Sequence, residues 1–308
     1  MNISVLKFGG SSLATPQCVQ QVAQIVADHY KKEKIVVVVS AEGKTTNVLL
    51  EKAKDFCPDD REIAALLSTG EQISASLLSM ALQKLGLKAV SLLGWQIPIE
   101  TTDNFLNADV ISIQTDKIKS LLTQKNIVIV AGFQGVNKNG AITTLGRGGS
   151  DTTAVELARF LSAASCTLFS DVCGIYSADP HQIPEAKLRP LISYRQVQQL
   201  AEGGAVVVHG KAVSVAEKYH IPVQLKNTFN PMADGTTIGT TDCTEQIVSI
   251  ATHAQTVTVV GTVSSETIQS VLTQNQILYC NVITGTNFIS FETTNTMTAI
   301  QILHHTLC

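Results

Sequence analysis

The sequence has 308 residues, of which 44% are hydrophobic and 15% charged, so it can bury a sizeable core and is not a disordered chain. A formal net charge of -3 gives no electrostatic reason to expect nucleic acid or a membrane surface as a partner. The apolar runs at residues 35–39 and 127–131 are far shorter than the roughly 20 residues that cross a bilayer. The first residues lack the features of a secretory signal, so a cytoplasmic protein is expected. The length suggests one large domain and one smaller domain.

Short apolar runs alternate with amphipathic segments along the first three quarters of the chain. Strands are predicted at residues 3–8, 35–39, 89–93, 127–131, 167–170 and 221–226. Helices are predicted after a Thr15 cap with Pro16 at the first helical position, and at residues 63–85, 113–124 and 152–164. The β-branched run at 35–39 is typical of a strand covered on both faces, so a three-layer αβα sandwich with a mainly parallel sheet is expected.

The end of the chain differs in composition, because residues 245–308 contain three acidic residues and no Lys or Arg. Its pattern is a strand at 256–260, a helix at 265–273, strands at 277–283 and 287–292, and a helix at 297–307. This is close to the plan of a ferredoxin-like α+β fold, with a further strand expected from residues 246–251. Residues 227–239 are turn-rich, so we predict a domain of residues 1–240 and a module of residues 245–308.

The first chemically informative motif is KFGGSS at residues 7–12, where a predicted strand ends and a helix opens. Amide groups and the helix dipole favour anions at such a position, the glycines admit a phosphate, and Lys7 adds positive charge. A strand followed by two glycines can also be an ordinary turn. The spacing is not that of a Walker A loop.

The second motif is TTLGRGGSDTT at residues 143–153, directly before a predicted helix. Gly148 and Gly149 permit close approach of a ligand, Ser150 can donate a hydrogen bond, and Arg147 is suited to bidentate recognition of a carboxylate. The competing interpretation is a helix capped by an aspartate after a flexible loop.

The third motif, SDVCGIYSADP at residues 170–180, follows the predicted strand at 167–170. Ligands of open α/β sheets collect at the carboxyl ends of strands, and all three motifs are predicted at such ends. Their convergence at such ends is a stronger indication of a ligand site than any one of the motifs.

Six motifs in this order resemble the signatures of aspartokinases, which are members of the amino-acid kinase family. They are KFGGSS (7–12), SAEGKTTN (40–47), STGE (68–71), AGFQG (131–135), LGRGGSDTTA (145–154) and DVCGIYSADP (171–180). The resemblance lies within residues 1 to about 239. It implies the amino-acid kinase fold for the first domain and a single ACT-like regulatory and dimerisation module for the second, where aspartokinases usually carry two.

The resemblance also implies an activity and its partners. The reaction would be ATP-dependent phosphorylation of L-aspartate to 4-phospho-L-aspartate, the first step towards lysine, threonine and methionine. Mg²⁺ would be carried mainly by the ATP phosphates and not by a dedicated protein site. The expected partners are aspartate, ATP and a second copy of the chain bound through the C-terminal module, with no nucleic acid and no membrane.

Residue roles follow from the same resemblance. Lys7 would neutralise charge on the transferring phosphoryl group, Asp151 would orient Lys7, Arg147 would hold the substrate α-carboxylate, and Glu71 would pair with its α-ammonium. Aspartate itself supplies the attacking carboxylate, so no general base is required. The remaining substrate-binding residues would be Ser40, Thr46, Phe133, Gly148, Gly149 and Ser150. The nucleotide-binding residues would be Lys7, Gly9, Gly10, Ser170, Asp171, Tyr176, Asp179, Pro180 and Lys211.

Each role has a structural alternative. Glu71 could simply be a favourable first-turn residue at a helix N-terminus. Tyr176 and Phe133 could be core residues. His304 and His305 are predicted to be surface residues, since the histidines show no metal-ligand spacing.

Some positions depart from the aspartokinase pattern, and they cluster on the nucleotide side. They are Cys173, His181, Gly210 and Lys211. We therefore expect altered ATP affinity before lost chemistry. Two other functions stay open: a kinase of another acidic amino acid, and a kinase-like amino-acid sensor with impaired catalysis.

Overall fold

The structure, a computed structural model, describes residues 2–56, 59–204 and 207–308. The helices are α1 Pro16–Tyr30, α2 Thr45–Ala53, α3 Asp60–Lys84, α4 Asp116–Thr123, α5 Gly149–Leu161, α6 Tyr194–Glu202, α7 Gly210–Lys218, α8 Ser265–Gln274 and α9 Thr296–Leu307. The strands of the first half are β1 Ile3–Phe8, β2 Lys34–Val39, β3 Ala89–Leu92, β4 Ile99–Thr101, β5 Val110–Ile113, β6 Ile127–Ala131, β7 Gln134–Asn137 and β8 Ile142–Thr144. Those of the second half are β9 Ser165–Ser170, β10 Leu191–Ser193, β11 Val223–Asn227, β12 Thr236–Gly239, β13 Ile247–His253, β14 Thr256–Gly261, β15 Cys280–Gly285 and β16 Phe288–Glu292.

The chain forms two compact units. The first takes in the chain up to Cys173 together with Lys218–Ala233, and the second combines Gly174–Glu217 with Asp234–Cys308. Residues 174–217 therefore belong with the C-terminal segment, and the domain boundary near residue 240 stays a prediction.

The first unit is built on parallel strands in the order β11-β9-β1-β2-β6-β3. Five of the six residues of β2 are buried, because alternate valines face opposite layers of helices. One face packs against α1 and α3, and α5 contacts β1 and β2. The predicted parallel αβα sandwich is therefore confirmed.

The first helix begins where the sequence predicts. The Thr15 hydroxyl accepts a hydrogen bond from the Cys18 amide at 3.2 Å, and Pro16 occupies the first helical position. Val22 and Val26 are fully buried on its inner face. The local sequence was sufficient to predict the start of α1, because the capping residue, the proline and the apolar spacing all indicate the same helix.

Two predicted segments are wrong in detail. Ile113 ends strand β5, and the helix predicted at 113–124 starts only at Asp116. β5 belongs to a small sheet of order β5-β4-β7-β8 that the sequence pattern did not predict. The connection predicted at 227–239 contains strand β12, which pairs in parallel with β10. Strands of three or four residues are too short to show periodicity, so only their pairing reveals them.

The second unit contains an antiparallel sheet of order β13-β14-β16-β15 with helices α8 and α9. The further strand expected from residues 246–251 is β13, and it pairs with β14. The core of this unit contains Val257, Leu272, Phe291 and Leu303. Across the described ranges, no helix is both long and apolar enough to cross a membrane.

Candidate active site

The loops of the predicted motifs leave one edge of the sheet in the first unit. Strands β9, β1, β2 and β6 are parallel neighbours, so their carboxyl ends lie side by side. The amides of Gly9, Ser40 and Gly132 donate to carbonyls at the ends of neighbouring strands, at 3.2, 3.1 and 3.0 Å. The loops that follow β1, β2 and β6 are thereby joined at this edge, where α/β proteins bind ligands.

An ion pair lies at the centre of this edge. Lys7, the penultimate residue of β1, places its Nζ 2.6 Å from Oδ1 of Asp151 in the first turn of α5. The side chains are 12% and 11% exposed, and the contact is an ion pair rather than an aligned hydrogen bond. The carboxylate is also favoured by the N-terminus of α5. The Lys7 ammonium is therefore held in one position beside the glycine loop.

The glycine loop after β1 fits closely against the loop after β2. A Cβ atom at Gly10 would lie 2.8 Å from the carbonyl oxygen of Ala41, closer than side chains approach. The Gly43 amide donates to the Gly10 carbonyl at 2.9 Å. A glycine is required at position 10 because the two backbones touch there.

The start of α5 contradicts the interpretation of an aspartate cap. The cap residue is Gly148, whose φ of +66° lies in the left-handed region, and no side chain caps the helix. Ser150 and Asp151 are buried in the first turn, and Asp151 faces Lys7 instead of the helix amides. Gly149 is buried and Arg147 is exposed on the loop before the helix.

Phe133 has a left-handed backbone with a φ of +69°, which is uncommon for an aromatic residue. Its amide donates to Oγ1 of Thr153 at 3.0 Å, and that hydroxyl in turn donates to the Gly149 carbonyl at 2.9 Å. The ring is half-buried, so it is not simply a core residue. Sequence reasoning missed Thr153, a fully buried polar residue inside a helix, whose only signal was its place in the second motif.

Glu71 lies in the middle of the 25-residue helix α3, so the first-turn alternative is wrong. It is 3% exposed, and its Oε1 accepts a hydrogen bond from the Ala41 amide at 3.0 Å. Its Oε2 has no hydrogen-bond partner within the part of the chain that the structure describes. Burial raises the pKa of Glu71 to about 8, and the Ala41 amide only partly offsets this. A cation beside this carboxyl would stabilise its charged form.

The other predicted residues of the first unit lie near strand and helix ends. Ser40 follows β2 and Thr46 is in the first turn of α2, and both are half-buried. Ser170 ends β9, and its hydroxyl accepts from the Val172 amide at 3.3 Å. Asp171 is exposed, and its carbonyl accepts from the Asn227 side chain at 2.8 Å.

The remaining nucleotide-side residues belong to the second unit. Tyr176 is half-buried, while Asp179 and Pro180 are exposed. The Asp179 carboxylate accepts from the amide of His181 at 2.9 Å. Lys211 is the second residue of α7. The predicted nucleotide set is thus divided between the two units, whereas the predicted aspartate set lies entirely in the first.

The prediction that His304 is a surface residue is wrong. Its side chain is buried, and Nε2 lies 2.8 Å from the hydroxyl of Ser177. Burial lowers the pKa of His304. His305 is exposed, as predicted. The two adjacent histidines differ because α9 turns only one of them towards the core of its unit.

Within the described residues, no group of three or more His, Cys, Asp or Glu side chains is placed to hold a metal ion.

Comparison with known proteins fixes the family. Residues 2–227 match the model of the amino acid kinase family.

The chain belongs to the amino acid kinase family.

Among its curated relatives in the family, the Aspartokinase of Geobacillus stearothermophilus is 47% identical over 232 residues, covering 74% of this chain and 57% of that protein. Aspartokinase 2 of Bacillus subtilis (strain 168) is 43% identical over 249 residues, covering 80% of this chain and 61% of that protein. A crystal structure of aspartate kinase from Synechocystis is 33% identical with a TM-score of 0.69, covering 99% of this chain and 55% of that one. The chain thus spans little more than half the length of these relatives.

Proposed function

We propose that this chain transfers the γ-phosphoryl group of ATP to the side-chain carboxylate of L-aspartate. The observation that carries the proposal is the Lys7–Asp151 ion pair at a glycine-lined strand edge, with the buried Glu71 carboxyl tied to the neighbouring loop. Relatives named aspartokinase at 47% and 43% identity support the choice of substrate.

The proposed chemistry balances without an added base. A β-carboxylate oxygen of aspartate attacks the γ-phosphorus, the bond from that phosphorus to the β,γ-bridging oxygen breaks, and ADP leaves. The product is the acyl phosphate 4-phospho-L-aspartate. Lys7 neutralises charge on the transferred group while Asp151 keeps its ammonium in place, which is the main requirement of phosphoryl transfer.

Aspartate would be recognised by one positively charged and one negatively charged side chain. The exposed guanidinium of Arg147 would bind the α-carboxylate in bidentate fashion, beside Gly148 and Gly149. The α-ammonium would pair with Glu71, whose Oε2 is unpartnered among the described residues. The other lining residues would be Ser40, Thr46, Phe133 and Ser150.

Nucleotide binding would use the amides of Gly9 and Gly10 together with Lys7. The other proposed nucleotide contacts are Ser170, Asp171, Tyr176, Asp179, Pro180 and Lys211. When bound, Mg²⁺ would supply charge neutralisation at the phosphates, and it would arrive with the ATP. The reaction would take place in the cytoplasm and feed the route to lysine, threonine and methionine.

The test is an assay of the purified chain with aspartate, ATP and Mg²⁺, in which hydroxylamine traps the acyl phosphate. We expect ADP and the hydroxamate in equal amounts, and loss of both in Lys7→Met. The matched control is Lys32→Met, which removes an exposed ammonium in the turn after α1. Product from glutamate or N-acetylglutamate but not from aspartate would refute the substrate. ATP-analogue binding without any product would indicate a sensor.

The C-terminal unit offers a second proposal, that its antiparallel sheet is an ACT-like module through which two copies associate. Strand β15 pairs only with β16 in the described sheet, so one of its edges is open. Leu278 and Ile283 near this edge are 83% and 61% exposed. Open edges with apolar side chains favour strand addition.

We expect Ile283→Lys to halve the mass measured by light scattering for the full chain. Met232→Lys is the control, since that side chain is 90% exposed and belongs to the first unit. An unchanged dimer in Ile283→Lys would count against association along β15.

A further inference from the structure

The segment of residues 174–189 has two faces with different neighbours. It carries three of the proposed nucleotide contacts, Tyr176, Asp179 and Pro180, and none of these is fully buried. Its apolar residues Ala178 and Ile183 lie in the hydrophobic core of the C-terminal sheet, in the cluster that contains Ile250 and Leu303. The segment is therefore packed as part of that core.

Backbone hydrogen bonds hold the segment as a two-stranded ribbon. The Ser177 amide donates to the Lys187 carbonyl at 2.9 Å, and the Arg189 amide donates to the Ile175 carbonyl at 2.8 Å. The ribbon is joined to β13, because the amide of Ile250 donates to the Ser177 carbonyl at 2.8 Å. Tyr176 lies between two of these anchored positions, so the ribbon fixes its backbone.

Arg189 ties the end of the ribbon to a bulge in β13. It is 5% exposed, and its Nε and Nη2 donate to the carbonyls of Val248 and Ile247 at 2.8 and 2.7 Å. The pairing of β13 with β14 is irregular between Ile247 and Ser249, so these carbonyls lie where the ladder is disrupted. The planar Arg189 guanidinium donates to both carbonyls at once, whereas a lysine ammonium lacks this fork geometry and could not replace both hydrogen bonds.

His304 ties the other strand of the ribbon to α9. Its Nε2 lies 2.8 Å from the Ser177 hydroxyl, and that hydroxyl also accepts from the Lys187 amide at 2.8 Å. Both partners are buried, so the contact is shielded from water. Arg189 and His304 thus tie the two strands of the ribbon to two different elements of the C-terminal fold, β13 and α9.

We propose that Arg189 and His304 are positioning residues for ATP. They hold the ribbon that presents Tyr176, Asp179 and Pro180, so these two side chains contribute to nucleotide affinity without touching the nucleotide themselves. This inference rests on the proposed nucleotide role of those three residues. Aspartate affinity should be independent of the ribbon, since its proposed contacts all lie in the first unit.

The test compares Arg189→Lys with Arg195→Lys in the full chain. Arg195 is the matched control because it is exposed and its guanidinium donates a long hydrogen bond, at 3.3 Å, to the Thr286 carbonyl. We expect Arg189→Lys to weaken a non-hydrolysable ATP analogue about tenfold in calorimetry, as loss of one well-placed hydrogen-bonding group does. The KM for ATP should rise by a similar factor. The KM for aspartate should change by less than about twofold, which is less than the loss of one binding contact would cause.

Three further variants keep the test decisive if Arg189→Lys fails to fold. His304→Ala should also weaken the analogue, His304→Gln should restore binding in part, and the exposed neighbour variant His305→Ala should bind normally. Unchanged analogue affinity in folded Arg189→Lys and His304→Ala would overturn the inference. So would a parallel rise in both KM values, which indicates general loosening instead of positioning.

Direct binding separates this inference from the proposed reaction. If the wild-type chain binds the analogue but phosphorylates no aspartate, the reaction is refuted and the variants still decide the role of Arg189. If the wild-type chain binds no nucleotide, both proposals are refuted.

Discussion

Replacing Glu71 with glutamine removes a carboxyl that is almost entirely inside the protein and that burial keeps protonated at neutral pH. The unfolded chain loses this proton near pH 4.5, whereas the folded chain keeps it until about pH 8. Between these values the folded state binds more protons, so stability falls as pH rises. The contribution is complete below pH 4.5 and is lost as pH passes through 8.

The size of the effect follows from the same two values. The rise in the pKa of Glu71 from 4.5 to about 8 corresponds to a pH-dependent stability change of at most about 5 kcal/mol, at about 1.4 kcal/mol for each pKa unit. The free energy of unfolding can be measured with urea at pH 5, 6.5 and 8. As pH rises, the wild-type value should therefore fall relative to the value for Glu71→Gln. The control is Glu62→Gln on the same helix, whose carboxylate is exposed. Parallel pH profiles for wild type and Glu71→Gln would show that Glu71 is not a buried acid with a raised pKa.

The proposed aspartate contact gives the same residue a ligand-dependent signature. An α-ammonium beside Glu71 favours the carboxylate, so aspartate binding at pH 7 should release a proton from the wild-type chain. Calorimetry in buffers of different ionisation enthalpy measures this release directly. Aspartate affinity should rise between pH 6 and 8 in the wild type and stay flat and weaker in Glu71→Gln. Equal affinity and equal proton release in the two proteins would refute the pairing.

Three further predictions concern the first unit. Asp151→Asn should lower kcat by about 10²-fold with little change in either KM, because Lys7 loses the charge that holds it, and steady-state kinetics measures this. Thr153→Val should cost about 1–3 kcal/mol of stability and raise the KM for aspartate, since the Phe133 amide loses its acceptor, whereas Thr153→Ser should behave as the wild type in urea unfolding and kinetics. Gly10→Ala should destabilise the chain by about 1–3 kcal/mol in thermal unfolding, because the new Cβ meets a carbonyl oxygen at 2.8 Å; an unchanged melting temperature would mean the loop has room to move.

The sequence by itself determined the architecture of the first unit. The valine run of β2 can only be buried by helices on both sides, and Thr15 with Pro16 fixed the start of α1. The glycine motifs also placed the candidate site at the strand ends. These signals are local, since caps, steric limits on glycine and proline, and side-chain periodicity act within a few residues.

Only the tertiary structure decided how individual side chains are used. The helix predicted at 63–85 already places Glu71 past a helix start, but only the structure shows its carboxyl buried against the Ala41 amide, where burial raises its pKa. His304 reads as a surface residue until the ribbon of residues 174–189 packs against α9. Burial and hydrogen bonding depend on residues far away in the chain, as in Ser177 with His304, so no local pattern could have encoded them.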